Sequence, residues 1–133
     1  MAARILVIED NQANLALVEY LLGHAGYTLL TATNGAAGLR LARELRPDLI
    51  LCDLQLPELN GYEVLEQIRR DAQLDRIPLV AVTAFSMPGD RGRAISAGFA
   101  GHLTKPIEPQ TFVAQIEDFL APELRAARPP AAS

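Results

Sequence analysis

The chain has 133 residues, with 12 Lys plus Arg against 16 Asp plus Glu, so its net charge near neutrality is −4. That length suits one domain able to bury roughly two-thirds of its unfolded surface, and that charge argues against nonspecific binding to nucleic acid or anionic membrane. The one cysteine, Cys52, excludes an internal disulfide; with no His or Cys cluster beside it zinc is excluded too, and it reads as a small core residue.

The opening stretch "MAARILVIEDN" meets acidic residues too early for a signal peptide or a membrane span, so a cytoplasmic protein is expected. Its apolar run "RILVI" (4–8) is the first predicted strand and ends on Glu9-Asp10. A helix follows, with Leu15, Val18 and Leu22 on one face. His24, late in this helix, is a structural residue, since a C-terminal helix position favours a cation. The second strand is "TLLTA" (28–32), and the second helix carries Leu39, Ala42 and Leu45. The third strand, "LILC" (49–52), ends on Asp53, and its helix carries Val64, Leu65 and Ile68 after a loop closed by Asn60-Gly61. "LVAV" (79–82) ends on Thr83, and the helix after it, roughly Pro88 to Ala97, is the least hydrophobic and richest in glycine. "GHLT" (101–104) ends on Lys105-Pro106 and is followed by a helix with Phe112, Val113, Ile116 and Leu120. The residues after that, 122–133, contain Pro129-Pro130 and no apolar periodicity, so a disordered tail is expected beyond a domain spanning 1–121.

Nearly continuous apolar strands alternating with amphipathic helices predict an α/β domain, a (βα)5 doubly wound parallel sheet with helices on both faces. In such sheets the ligand crevice lies outside the carboxyl ends of the strands. Four strands deliver polar groups to that edge: Glu9-Asp10, Asp53, Thr83 and Lys105. A lone acidic residue there is often a helix cap, which is the alternative for Asp10. Three carboxylates opposite one lysine repel unless a cation joins them, and hard oxygen ligands suit Mg2+. The set expected to hold it is Glu9, Asp10, Asp53 and the backbone carbonyl of Gln55. Asp53 is then a candidate nucleophile toward a phosphoryl group, giving an acyl phosphate, with Lys105 and the Thr83 hydroxyl neutralising the phosphoryl oxygens.

The stretches "VIEDN" (7–11), "LILCDLQLPELNGYEVL" (49–65), "LVAVTAFSMPGD" (79–90) and "HLTKPI" (102–107) resemble the receiver domain of two-component response regulators. Asp53 and Thr83 are 30 residues apart, and Thr83 and Lys105 are 22 apart, as in that family. "VTAFSMPGD" and "DLQLPELNGYEV" are most similar to stand-alone, DivK-like receivers. The resemblance implies a flavodoxin-like fold with strand order 2-1-3-4-5. It also implies Asp53 as the phosphorylated aspartate, Thr83 as the switch hydroxyl, and Pro106 as the second residue of a cis peptide that aims Lys105 inward.

Glu9 stands where many relatives have Asp, and its extra methylene suits contact with the metal through water, with direct ligation the alternative. His102 occupies the family's switching aromatic position; it reads as a switch residue working with Thr83, or else as a half-exposed edge-strand histidine. Gln55 and Phe85, two residues after Asp53 and Thr83, are expected to govern water's access to the acyl phosphate; Met87 is a loop candidate beside them. The partners implied are a histidine kinase or histidine phosphotransfer protein, docking near Asn11, Asn14 and Leu15. A downstream signalling protein is expected to bind in trans around Ser96, Phe99 and His102. Neither nucleic acid nor membrane is an expected partner, and the chain is expected to be a monomer or weak homodimer. Such a protein catalyses only its own phosphorylation and dephosphorylation. The alternatives are a constitutive pseudo-receiver that binds partners without phosphorylation, and an aspartate-nucleophile phosphatase. The phosphatase needs a second aspartate where Gln55 stands, and the pseudo-receiver ordinarily lacks one of the site residues present here.

Overall fold

The computed structural model describes residues 3–84 and 87–126. Strands and helices alternate along the chain: β1 (Arg4–Ile8), α1 (Gln12–His24), β2 (Thr28–Ala32), α2 (Gly35–Leu45), β3 (Leu49–Asp53), α3 (Gly61–Arg70), β4 (Leu79–Thr83), α4 (Asp90–Ala97), β5 (Gly101–Thr104) and α5 (Pro109–Glu117). The five strands form one parallel sheet in the order β2-β1-β3-β4-β5. Strands β3 and β4 each run one residue further than their apolar stretches, so Asp53 and Thr83 lie within the sheet.

Alternation along the strands divides the core in two. Leu6, Ile8, Ile50, Cys52, Leu79 and Ala81 face α2, α3 and α4. Ile5, Val7, Leu49, Leu51 and Val80 face α1 and α5. All five residues of β3 and of β4 are buried, which is why these strands read as unbroken apolar runs.

Three helices start on asparagines. Asn11, Asn34 and Asn60 each accept a backbone N–H three residues on, at 3.0, 2.8 and 3.0 Å. At α3 the Glu63 side chain also accepts the Asn60 N–H at 3.0 Å, completing a capping box. Two of these caps, Asn11 and Asn60, follow the carboxyl ends of β1 and β3 and fix how the chain leaves Asp10 and Asp53.

Residues 122–126, placed in the expected tail, are folded against the domain. Pro122–Leu124 form a 3-10 turn, Leu124 and Ala126 pack against the α1/α5 side of the core, and the Ala126 N–H donates to the Tyr27 hydroxyl at 2.9 Å. The Arg125 guanidinium also donates to the Glu117 carbonyl at 2.9 Å. These apolar and hydrogen-bonded contacts order the segment despite its lack of periodicity. The rest of the expected tail, 127–133, lies outside the described residues. No helix among the described residues is long and apolar enough to cross a membrane.

Candidate functional site

The polar ends of β1, β3, β4 and β5 meet at one edge of the sheet. Glu9 and Asp53 are each 4% exposed, and Thr83 is 2% exposed, whereas Asp10 is open to solvent. Carboxylate oxygens of Glu9, Asp10 and Asp53 all lie within 4.8 Å of one another. The Lys105 ammonium reaches across from β5, 2.6 Å from Glu9 Oε1 and 3.1 Å from Asp53 Oδ2. Lys105 is the sole lysine of the chain; every other cationic side chain, histidines aside, is arginine.

Backbone donors complete the carboxylates. The Asn11 N–H donates to Glu9 Oε2 at 3.1 Å, and the Gln55 N–H donates to Asp53 Oδ1 at 2.9 Å. Gln55 itself is exposed. Gly61 lets α3 start hard against β3: a Cβ there would come within 2.8 Å of the Asp53 carbonyl and of Leu54 Cα. The Lys105–Pro106 peptide is cis, and the Lys105 N–H donates to the Thr83 carbonyl at 2.8 Å, tying the ends of β4 and β5 together.

The charges are unbalanced. Burial is the main reason the Glu9 carboxyl sits above its ordinary value, with the Asp53 charge acting in the same direction and the Lys105 bond opposing. For Lys105, burial pulls the other way but is outweighed by the hydrogen bonds to Glu9 and Asp53, so its ammonium is held above the usual lysine range. Cys52, fully buried beneath Asp53, has its thiol pushed far up, first by burial and then by the Asp53 and Glu9 charges, and is a core residue.

Several expected residues stand elsewhere than foreseen. The cap of α1 is Asn11, which leaves Asp10 free of that duty. His102 is buried rather than half-exposed, at 6%, and its Nε2 is the one buried side-chain nitrogen or oxygen without a hydrogen-bond partner among the described residues. Its strand is at the sheet edge, but its side chain shares a face with Ala81, its register partner on β4, on the side covered by α4. Phe99, proposed for an open output face, is 3% exposed and meets the Tyr62 ring edge-on at 5.6 Å, so it belongs to the core. Ser96 is exposed. Asn11 is exposed and Leu15 is core. His24 closes α1 and stacks on Tyr20 at 5.7 Å. Met87 is 69% exposed. Phe85 lies outside the described residues.

The sequence reading missed Arg69. Its guanidinium donates to the carbonyls of Asp75, Ile77 and Gly98, at 3.0, 2.9 and 3.1 Å. The only sequence signal is a basic residue in the last turn of α3.

The arrangement is a buried carboxylate flanked by two more carboxylates, one ammonium and one hydroxyl at the mouth of a parallel sheet. Such a site can receive an electrophilic, anionic group on Asp53 while a cation and a lysine offset its charge. The fold and sequence have counterparts. The chain is 42% identical over 120 residues to the polar-differentiation response regulator DivK of Brucella anthropi, covering 90% of this chain and 98% of that protein. Chemotaxis protein CheY4 of Vibrio cholerae superposes with a TM-score of 0.84 at 28% identity, over 90% of this chain and 100% of that one. The receiver domain of a sensor histidine kinase from Pseudomonas aeruginosa, solved with a magnesium ion coordinated in its active-site cleft, gives 0.81 at 32% identity, over 90% and 98%. Residues 5–117 match the response regulator receiver domain, so with its strand order 2-1-3-4-5 and the acidic edge described above, this chain belongs to the receiver-domain family of response regulators.

Proposed function

We propose that Asp53 is the phosphoacceptor of this chain, in a single-domain response regulator that takes a phosphoryl group from a histidine kinase or histidine phosphotransfer protein. A carboxylate oxygen of Asp53 attacks phosphorus as the N–P bond of a phosphohistidine breaks, the bonding pair leaving with the imidazole nitrogen, and the aspartate becomes an acyl phosphate. The observation that carries this reading is the position of Asp53, 3.1 Å from the sole lysine and grouped with the Glu9 and Asp10 carboxylates within 4.8 Å. Lys105 supplies a compact positive charge to one phosphoryl oxygen. Thr83, at the end of the neighbouring strand, offers its hydroxyl to another.

The donor set fits a hard divalent cation: it is all oxygen, and its three carboxylates exceed the single ammonium that faces them. We assign Mg2+, held by Asp10, Asp53 and the Gln55 backbone carbonyl, with Glu9 directly or through water; when bound it neutralises charge on the phosphoryl oxygens. The magnesium in the related Pseudomonas receiver domain supports that choice. The protein transforms no separate metabolite, catalyses its own phosphorylation and dephosphorylation, and signals in trans by binding another protein as a monomer or weak homodimer. Thr83 and His102 carry the response to the surface around α4 and β5.

The test is to incubate the protein with Mg2+ and acetyl phosphate and map the adduct by mass spectrometry. Phosphorylation is expected on Asp53 and absent from Asp53→Asn. Undiminished uptake by that variant, or by the parent in excess chelator, contradicts the reading.

A further inference from the structure

We propose that the free edge of β2 is a self-pairing edge, where a second copy of this chain docks strand to strand across a twofold axis at Leu30. The inference rests on the homodimer half of the reading above, whose interface it names, and it does not depend on Asp53.

The two edges of the sheet are built differently. β5 is four residues long and closes on Lys105 and its cis peptide to Pro106, a charge and a missing N–H that discourage a further strand. β2 has neither device. No residue from 25 to 39 is charged or a proline, although the chain as a whole carries 12 basic and 16 acidic residues among its 133. A partner that presents charge finds nothing to pair with at this edge, whereas a copy of the same neutral strand approaches it without repulsion.

The backbone pattern sets how that copy fits. The Thr28 N–H donates to the Ala3 carbonyl and the Ala32 carbonyl accepts the Glu9 N–H, each at 3.0 Å. Pairing with β1 therefore occupies Thr28, Leu30 and Ala32, and alternation turns the N–H and C=O groups of Leu29 and Thr31 away from the sheet, where β2 is the last strand. An antiparallel copy bonds only where outward residues oppose outward residues. An axis at Leu30 meets that condition on both sides: Leu29 faces the copy's Thr31 and Thr31 the copy's Leu29, each pair exchanging both of its N–H···O bonds.

The side chains favour the same register. Leu30 then stands opposite the copy's Leu30 in the closer, non-hydrogen-bonded kind of pair, with about 4.5 Å between Cα atoms. Leu29 and Leu30 are both half-buried, Leu29 on the α1/α5 side of the sheet and Leu30 on the α2/α3 side. The helices packed over β2 add half-buried Leu21 on α1 and Ala37 and Leu41 on α2. The seam is thus hydrogen-bonded along its middle and apolar on both faces. One five-residue strand makes a small contact, so the dissociation constant is expected at about 0.1–1 mM.

The experiment uses the full chain by sedimentation and NMR between about 20 µM and about 1 mM. The parent's average mass is expected to rise toward that of a dimer, while the amide signals of Leu29 and Thr31 move with concentration and that of Ile95 on α4 stays. Leu30→Lys and Leu30→Glu each put like charges opposite one another and should stay monomeric; mixed in equal amounts they should dimerise again. If either variant does not fold, the parent's Leu29 and Thr31 signals decide. A parent monomeric at 1 mM overturns the proposal, and the homodimer with it. A parent that dimerises while Leu29 and Thr31 stay still, or a single variant that dimerises as the parent does, overturns the β2 seam and leaves the homodimer standing on another face.

Discussion

The Lys105 ammonium lies 2.6 Å from Glu9 Oε1 and only then, at 3.1 Å, from Asp53 Oδ2. Glu9 is thus the lysine's nearer partner in the resting protein, and its other oxygen is taken by the Asn11 N–H. On the proposed reading, a phosphoryl group on Asp53 would claim Lys105 by displacing the longer contact while the shorter one keeps the ammonium in place.

Because Lys105 is the sole lysine, its side chain gives one isolated NMR signal whose titration reads the site directly. Burial lowers its affinity for the proton, but the bonds to Glu9 and Asp53 outweigh that, so the signal should titrate above the ordinary lysine value of about 10.4. A folded-state value raised above the unfolded one contributes stability that is complete below the unfolded value and lost as pH rises through the folded one. The urea midpoint of metal-free protein should therefore fall above about pH 10.4, and this loss should be smaller in Lys105→Met. A signal titrating at or below the ordinary value would contradict the direction given.

The fold was legible because each strand is an apolar run and each helix has one apolar face, two patterns that do not imitate each other at these lengths. The site was legible for the opposite reason: Asp53, Thr83 and Lys105 interrupt or end those runs where a buried polar group needs a purpose. What stayed hidden depends on what covers what. His102 lies on an edge strand, and nothing in the "GHLT" stretch tells that α4 covers that face. Phe99 looked available because its helix is polar, yet it sits beyond the helix end with its ring turned inward. Arg69 binds only backbone carbonyls, which leave no trace in side-chain identity. Pro122 to Ala126 fold onto Tyr27 and Glu117, contacts up to 99 residues apart in sequence.

Asp10 should stabilise the metal-bound protein and destabilise the metal-free one. Three carboxylates within 4.8 Å face one ammonium, so removing the exposed member relieves repulsion. Asp10→Asn is expected to melt a few degrees above the parent in chelator. The parent should gain stability as Mg2+ is added, by mass action on the folded state; the variant should not. Parallel Mg2+ dependence in both proteins would remove Asp10 from the metal set.

Gly61→Ala should damage the site from below. The added methyl would press on the Asp53 carbonyl and Leu54 Cα, both at 2.8 Å, and backbone atoms cannot swing aside as a side-chain tip can. The β3–α3 loop that carries Gln55 must then shift. A loss of about 1–3 kcal/mol in urea unfolding is expected, together with weaker Mg2+ binding in calorimetry. The control is Gly23→Ala, where a Cβ meets nothing within 4 Å; unaltered binding and stability at Gly61 would show that the loop accommodates the methyl.

His102 should hold its place at a cost to stability. His102 is 6% exposed and its Nε2 lacks a partner among the described residues, which leaves a buried polar atom unsatisfied there. An unpaired buried group costs about 1–3 kcal/mol, and a planar apolar ring of similar outline removes that penalty. His102→Phe is therefore expected to raise the urea unfolding free energy of the resting protein by about 1 kcal/mol, the lower end of that range because the larger ring must be fitted beneath α4. If the ring also turns when Thr83 is drawn toward a phosphoryl group, stabilising its buried position should oppose the turn. Beryllofluoride with Mg2+ should then shift the Asp53 and Thr83 signals in the variant as in the parent, while the changes around α4 and β5 shrink. A variant no more stable than the parent, with an undiminished response at α4, would show that the unpaired nitrogen costs the resting state nothing and that the ring does not carry the signal.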